Sequence, residues 1–237
     1  MQTKLLYLYD SYLREFEAEV VKIEENKVIL NQTAFHPLTG GVANDTGYLL
    51  KDNEKYRVID VKLNKETGEA IHIIDGEVKL KPGDKVKGVI DWDRRYRLMK
   101  LHTAAHLIAA VLYRDYNALI TGGHVDVEKA KEDFNLEKPD RRIFEDAVRK
   151  ANEAVKNKLP VKIYFLTREK AMKIPGIVKL AERMPPEVKE LRIVEIPGID
   201  IQADGGPHVK NTEEIGEIKL LKIENKGRTK RRIYFTI

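Results

Sequence analysis

Residues 94–116 read RRYRLMKLHTAAHLIAAVLYRDY. Leu98, Leu101, Ala105, Ile108 and Leu112 recur at spacings of three and four, the repeat of one apolar helix face. Asp93, just ahead, is of a type that caps a helix N-terminus. The stretch predicts a long helix, and the sequence on its two sides differs in kind.

Before it, the pattern is that of strands. Val20, Val21 and Ile23, then Val28, Ile29 and Leu30, flank EENK as a pair of strands around a turn. YRVIDVKL, AIHIID and VKLKPGDKVKGVIDW give further strand signals, and Lys81-Pro82-Gly83-Asp84 is a turn because Pro presets φ and Gly tolerates positive φ. The stretch TAFHPLTGGVANDTGY, residues 33–48, is rich in loop formers. Residues 1–91 are therefore expected to form a small β-barrel-like domain. After the long helix, a second helix is expected in RRIFEDAVRKANEAVKNK, following Pro139, with a short one at 167–173. VKIYFL, ELRIVEIPGI, IGEIKLLKIENKG and RRIYFTI read as strands. Residues 92–237 are thus an α+β domain, and the chain as a whole is α+β with a boundary near 91.

Composition narrows the function classes. Of 237 residues 42% are hydrophobic and 34% charged, the balance of a globular chain. Lys and Arg number 43 against 38 Asp and Glu, a net charge of +5. That leans toward a polyanionic partner and fits a solvated surface equally well. There is no cysteine, which excludes disulfides, thiolate zinc sites and cysteine nucleophiles. The opening MQTKLLYLYDSYLREFEAEV is broken by Asp10 and Arg14, so it reads as neither a signal peptide nor a span. The expected location is cytoplasmic, with no membrane partner.

His102 and His106 stand four apart on the predicted helix, one turn from each other on one side, where two imidazoles can share a metal. They lie beside the apolar stripe, at the edge of a pocket. The segment between them, Thr-Ala-Ala, has no glutamate, so the general base of an HExxH peptidase is missing from its place. In IPGIDIQADGGPHV, Asp204 and His208 are again four apart, beside Gly205 and Gly206, which let the backbone pass close to a bound group. Two helix histidines and a turn with a histidine are the bland readings. Taken together, His102, His106, Asp204 and His208 make a tetrahedral metal set, or three ligands with an open position.

With these residues in hand, the chain resembles the editing domain of alanyl-tRNA synthetase, in its free-standing AlaX form with an extra N-terminal domain. LHTAAHLIAAVL resembles the family's His-x-x-x-His helix, and ADGGPHV its Cys-Gly-Gly-Thr-His loop. TAFHPLTGGVANDTGYL is similar to its glycine-rich segment, with Gly40, Gly41, Asp45 and Gly47 in step. Two positions depart: Asp204 stands for the usual cysteine and Pro207 for the threonine. The family's Gln-x-Gly-Ser stretch corresponds to Thr121-Gly122-Gly123-His124.

The resemblance implies a hydrolase acting in trans on tRNA(Ala) charged with the wrong amino acid, Ser-tRNA(Ala) first and Gly-tRNA(Ala) as a further substrate. One Zn2+ per chain is implied, held by His102, His106 and His208, with Asp204 as a fourth ligand or as the residue that orders one. Thr121, on a loop after the helix, with Gly205 and Gly206, is expected at the substrate, and His124 is one candidate proton acceptor beside a metal-bound hydroxide or a substrate ribose hydroxyl. Arg94, Arg95 and Arg97, near the histidines, and Lys230, Arg231 and Arg232, in the tail, are candidate RNA contacts. A different metallohydrolase on small esters or amides, and a non-enzymatic RNA-binding module with a structural metal, are the competing readings. The oligomeric state stays open.

Overall fold

The computed structural model describes residues 2–137, 140–181 and 187–237. The chain divides into two units, Met1–Arg97 and Leu98–Ile237.

The first unit is built on a closed antiparallel barrel. Its strands are β2 (Glu15–Glu24), β3 (Lys27–Leu30), β5 (Gly47–Lys51), β6 (Glu54–Leu63), β7 (Ala70–Asp75) and β8 (Lys85–Ile90), in the order β2-β3-β7-β6-β5-β8. The short strands β1 (Lys4–Leu5) and β4 (Gln32–Thr33) pair in parallel beside it. In β2, Phe16, Ala18 and Val20 are buried while Glu15, Glu17 and Glu19 are exposed, the period-two alternation of a strand with one face on a core. Phe35, Leu49, Val58, Val61 and Ile74 fill the same core. The Lys81–Asp84 turn forms as its sequence dictates: the Asp84 N–H donates to the Lys81 carbonyl at 3.0 Å, and Gly83 has φ 89°.

Helix α1 (Trp92–Tyr116) starts two residues earlier than its sequence pattern suggests. Asp93 consequently lies in the first turn instead of capping it, and the Asp91 carbonyl takes the Arg95 N–H. The unit boundary at 97/98 is also later than 91/92, for a visible reason. Trp92 stacks on Tyr96 and lies under the Arg14 guanidinium, Tyr12 packs on both rings, and Arg95 is wholly buried among residues of the first unit. The start of the helix therefore belongs to the barrel unit.

The second unit has two antiparallel sheets. The first is made of β9 (Ile120–Val125), β10 (Ala130–Phe134), β14 (Lys219–Asn225) and β15 (Arg231–Thr236), in the order β14-β15-β10-β9. The second is made of β11 (Lys162–Thr167), β12 (Glu190–Ile196) and β13 (Asp200–Ala203), in the order β11-β12-β13. Helix α2 (Arg141–Lys156) is capped by the Asp140 side chain and buries Phe144, Ala147, Val148, Ala151 and Val155 at helical spacing; Pro139 lies outside the described residues. Helix α3 (Arg168–Met172) follows β11. The single apolar stripe expected for α1 is a correction: from Leu98 to Leu112 every side chain except Lys100 is buried, the signature of a helix enclosed all round.

Candidate metal centre

Strand β13 does most to shape the site, although its sequence carries no strong strand signal. That sequence, Asp200-Ile201-Gln202-Ala203, alternates polar and apolar. Ile201 and Ala203 pack on a small core with Ile177, Leu191 and Ile193, so Asp200 and Gln202 point to the other face, with Asp204 next in line. That face meets the histidines of α1.

His102, His106, Asp204 and His208 each offer one ligand atom, and these atoms lie within 4.8 Å of one another. The imidazole centroids are 5.0 Å apart for His102 and His106, 4.1 Å for His102 and His208, and 4.5 Å for His106 and His208. Tetrahedral ligands at zinc bond lengths stand about 3.3 Å apart, so small side-chain movements would close the set on an ion. His102 and His106 are buried, each 6% exposed, not at a pocket edge.

Each histidine is held through Nδ1. His102 Nδ1 lies 3.3 Å from the Pro207 carbonyl, and His106 Nδ1 lies 2.9 Å from Asp200 Oδ2. His208 Nδ1 lies 3.0 Å from Thr103 Oγ1, whose own proton goes to the Met99 carbonyl at 2.9 Å. Thr103 therefore accepts, and all three rings carry their proton on Nδ1. Each Nε2 keeps its lone pair for a ligand, the arrangement by which outer partners fix the tautomer of metal-binding histidines.

The electrostatics agree. Burial, with help from neighbouring His106 and Arg192, pulls His102 down to about 4, and burial with the flanking imidazoles pulls His208 well below its usual range. Both are neutral near pH 7, as metal binding requires. Burial would raise Asp204, but the facing His102 and His208 imidazoles, which take up charge as the pH falls, outweigh it and hold the carboxyl well below its ordinary value. Asp200 is likewise raised by burial and lowered more strongly by His106 and by Lys179, whose Nζ is 2.6 Å from Oδ1.

The Gly-Gly loop is shaped from both sides. The Gly206 N–H donates to Asp204 Oδ2 at 2.6 Å, and buried Arg192 donates to the carbonyls of Asp204 and Gly206, each at 2.9 Å. A Cβ on Gly206 would fall 2.5 Å from His102 Cε1, so only glycine fits there; Gly205 is exposed.

Thr121 and His124 are on strand β9, not on a loop, and Gly122 and Gly123 are strand residues with no fold-back. Gly123 pairs with Glu132 and His124 with Lys131. Alternation places Gly123 with buried Glu132 on the inner face, and His124 on the outer face, in a hollow lined by Asp126, Glu128, Lys129, Lys131 and Tyr234, while Thr121 is the extra residue of a β-bulge between Ile120 and Gly122. The structure does not bring His124 to the histidine cluster. It does tie the head of β9 to it: the Ile120 N–H donates to the Lys179 carbonyl at 2.9 Å, and Lys179 pairs with Asp200. The Thr121 hydroxyl is buried with no hydrogen-bond partner among the described residues.

Two of the arginines expected at RNA are interior residues. Arg95 bonds Asp45, the Ser11 carbonyl and the Ala34 carbonyl. Arg231 bonds the carbonyls of Gly227, Arg228 and Lys230, and that of Glu137. Arg232 is committed to Asp133 through two hydrogen bonds of 2.6 and 2.8 Å, and Arg94 donates to the Asn44 carbonyl at 2.9 Å. Lys230 and Arg97 are half-buried. The glycine-rich segment is built around the same pair: Asp45 takes Arg95 and, at 2.5 Å, the His36 N–H. Gly40 and Gly41 turn the chain at φ 60° and 81°, and a Cβ on Gly47 would strike the Val89 carbonyl oxygen at 2.1 Å. In this unit the segment packs as an anchor.

Sequence reasoning missed Thr103, Asp200, Lys179, Arg192 and Glu132. The alternation in DIQAD was the available signal for Asp200; a lone Thr, Lys or Arg in a strand or helix carries none.

Comparison with known proteins agrees with this geometry. Residues 191–234 match the family model described as threonyl and alanyl tRNA synthetase second additional domain, and residues 1–94 match that of class II (A) tRNA synthetases. An alanyl-tRNA editing protein AlaX-M of Saccharolobus solfataricus is 57% identical over 236 residues, covering 99% of both chains. The chain belongs to the AlaX-M family of alanyl-tRNA editing proteins. A second AlaX-M protein, from Methanosarcina barkeri, is 45% identical over 99% of each chain. The alanine–tRNA ligase of Archaeoglobus fulgidus is 37% identical over 94% of this chain but only 24% of its own length. The AlaX-M match is therefore to a whole protein, and the ligase match is to a segment of a larger one.

Proposed function

We propose that this protein hydrolyses the ester bond of tRNA(Ala) carrying serine, and of tRNA(Ala) carrying glycine, acting in trans with one zinc ion held by His102, His106, His208 and Asp204. The observation that carries this reading is the buried three-histidine, one-carboxylate cluster with every Nε2 available, in a chain whose full-length relatives are named alanyl-tRNA editing proteins. The donor set suits zinc, which takes imidazole nitrogen and carboxylate oxygen in four-coordinate sites. When bound, zinc supplies Lewis acidity toward an ester carbonyl and lowers the pKa of water.

The chain's own residues provide the rest. Asp200, anchored by Lys179, fixes His106, and Thr103 fixes His208. Arg192 and the Asp204 turn hold the Gly-Gly loop against His102. Thr121 reads the serine hydroxyl: its unpartnered Oγ1 can donate or accept, and alanine would leave it unpaired behind a methyl group, whereas glycine leaves room for a water in the hydroxyl's place. Of the expected set, Arg95 and Arg231 are interior, which leaves the half-buried Arg94, Arg97, Lys230 and Arg232 for phosphate contact. The reaction takes place in the cytoplasm, where charged tRNA is; among the described residues no helix is long and apolar enough to cross a membrane.

The test is deacylation of tRNA(Ala) charged with serine, glycine or alanine. Turnover of the seryl and glycyl forms with the alanyl form spared is expected. Equal hydrolysis of all three, or of none, overturns the reading.

A further inference from the structure

The inner face of the β14-β15-β10-β9 sheet carries one carboxyl group with no apparent structural task. On β10, Ala130, Glu132 and Phe134 share that face; Ile233 of β15 lies opposite Glu132 on one side and Gly123 of β9 on the other. Ala130, Phe134 and Ile233 are fully buried apolar residues, and Glu132 is only 7% exposed. Its Oε2 has no hydrogen-bond partner among the described residues. The nearby charges do not neutralise it: Asp133 is taken by Arg232, and Asp200 by Lys179 and His106. Burial, with the fields of Asp133 and Asp200, raises Glu132 to about 8. A carboxyl placed so destabilises the fold, and a hydrophobic residue would suit the position better. The directly opposed residue is Gly123, where an added Cβ would lie 3.6 Å from Glu132 Cγ, so the space beside the carboxyl is kept clear of side chains from β9.

Two residues before Gly123 is Thr121, the extra residue of a β-bulge opposite Asp133 and Phe134, whose buried hydroxyl is another oxygen without a partner among the described residues. Residues this close on adjacent strands stand about 7–8 Å apart at the backbone, a gap that one bound amino-acid group can span. A seryl ester presents a matching pair, a hydroxyl and an ammonium group on adjacent carbons. We infer that Glu132 receives the α-ammonium group of the aminoacyl substrate while Thr121 receives the side chain, so that the two residues together seat the amino acid beside the histidine cluster. This rests on the deacylase reading above. Every aminoacyl ester brings this cation, and its arrival gives the buried carboxyl the partner it lacks. Glu132 is then a general amine anchor, shared by seryl and glycyl substrates, and Thr121 supplies the selectivity between side chains.

The experiment compares Ser-tRNA(Ala) with N-acetyl-Ser-tRNA(Ala), whose nitrogen is uncharged, on the wild type and on Glu132→Gln. It is paired with calorimetric binding of the hydrolysis-resistant 3′-serylamino-3′-deoxyadenosine and its N-acetyl derivative, which reads occupancy apart from turnover. The wild type is expected to prefer the free amine by about ten- to hundredfold in both KM and Kd, the range of a hydrogen bond to a charged group. E132Q is expected to lose that preference, weakening the free amine while leaving the acetylated compounds unchanged. An equal loss on both forms, or an intact preference in the variant, overturns the amine assignment while the deacylase reading stands. A wild type that hydrolyses neither tRNA overturns the deacylase reading and this inference with it.

Discussion

Thr103→Val isolates the link between folding and metal binding. Valine keeps the branched shape and removes the hydroxyl. In the native site that hydroxyl is fully buried, accepts from His208 Nδ1 at 3.0 Å and from the Val209 N–H at 3.3 Å, and donates to the Met99 carbonyl at 2.9 Å. The variant leaves two buried donors without that acceptor. Each costs about 1–3 kcal/mol, so stability should fall by roughly 2–4 kcal/mol, the lower part of the sum because the ring can rotate. Without the acceptor the His208 tautomer is no longer fixed, and loss of such a partner typically weakens metal binding by about 10–100-fold. Urea melts of the metal-free protein read the first quantity, and competition with a zinc-selective chelator reads the second. Thr103→Ser, which keeps the oxygen, should recover most of the zinc affinity. Zinc affinity in T103V equal to the wild type would refute the tautomer argument, even if stability fell as expected.

Three further outcomes follow from the same contacts. Thr121→Val should slow Ser-tRNA(Ala) hydrolysis by roughly tenfold, the value of one neutral hydrogen bond, and leave Gly-tRNA(Ala) nearly unchanged; equal losses in kcat/KM on both substrates would show a role in the fold or the metal site instead. Glu132 is raised from 4.5 to about 8 by burial and by the charges of Asp133 and Asp200, so its native form holds a proton that the unfolded chain has released. Native stability is therefore lost as pH rises from 4.5 to about 8, by up to about 1.4 kcal/mol per unit, and urea melts should show E132Q gaining on the wild type across that window; a constant difference would contradict the burial of an acid there. We also propose that residues 92–237 fold without the barrel, since Leu98–Ile237 is a compact unit by itself and only residues 92–97 lose their packing in that fragment; circular dichroism of that fragment should show native-like helix and strand, and an unfolded fragment beside a folded full chain would refute its independence.

What the sequence made legible was set by period. The barrel strands alternate cleanly, as in Phe16, Ala18 and Val20 against Glu15, Glu17 and Glu19, and the turn chemistry of Lys81–Asp84 was unambiguous. His102 and His106 on a helix, and Asp204 and His208 by a Gly-Gly loop, were visible as pairs because spacing alone puts each pair on one side. Strands β9 and β10 were hidden because Thr121-Gly122-Gly123-His124 and Lys131-Glu132-Asp133 are poor in strand formers, and their place is set by pairing, β10 on β15 and β9 on β10. For the basic residues, charge was a poor guide to exposure. Arg95 and Arg231 look like RNA contacts in sequence, yet both are spent on carbonyls and, for Arg95, on Asp45, which no local pattern reveals. Likewise Thr103, Lys179 and Arg192 act across 105, 21 and 12 residues on His208, Asp200 and Asp204, separations that only the folded chain closes.

The most direct measurement is the rate of Ser-tRNA(Ala) hydrolysis by chelator-treated protein before and after one equivalent of zinc, with His208→Ala alongside. The account predicts loss of activity on chelation, recovery with zinc in the wild type, and neither stoichiometric zinc binding nor recovery in the variant. Full activity in protein shown to be free of metal, or in H208A, would contradict it.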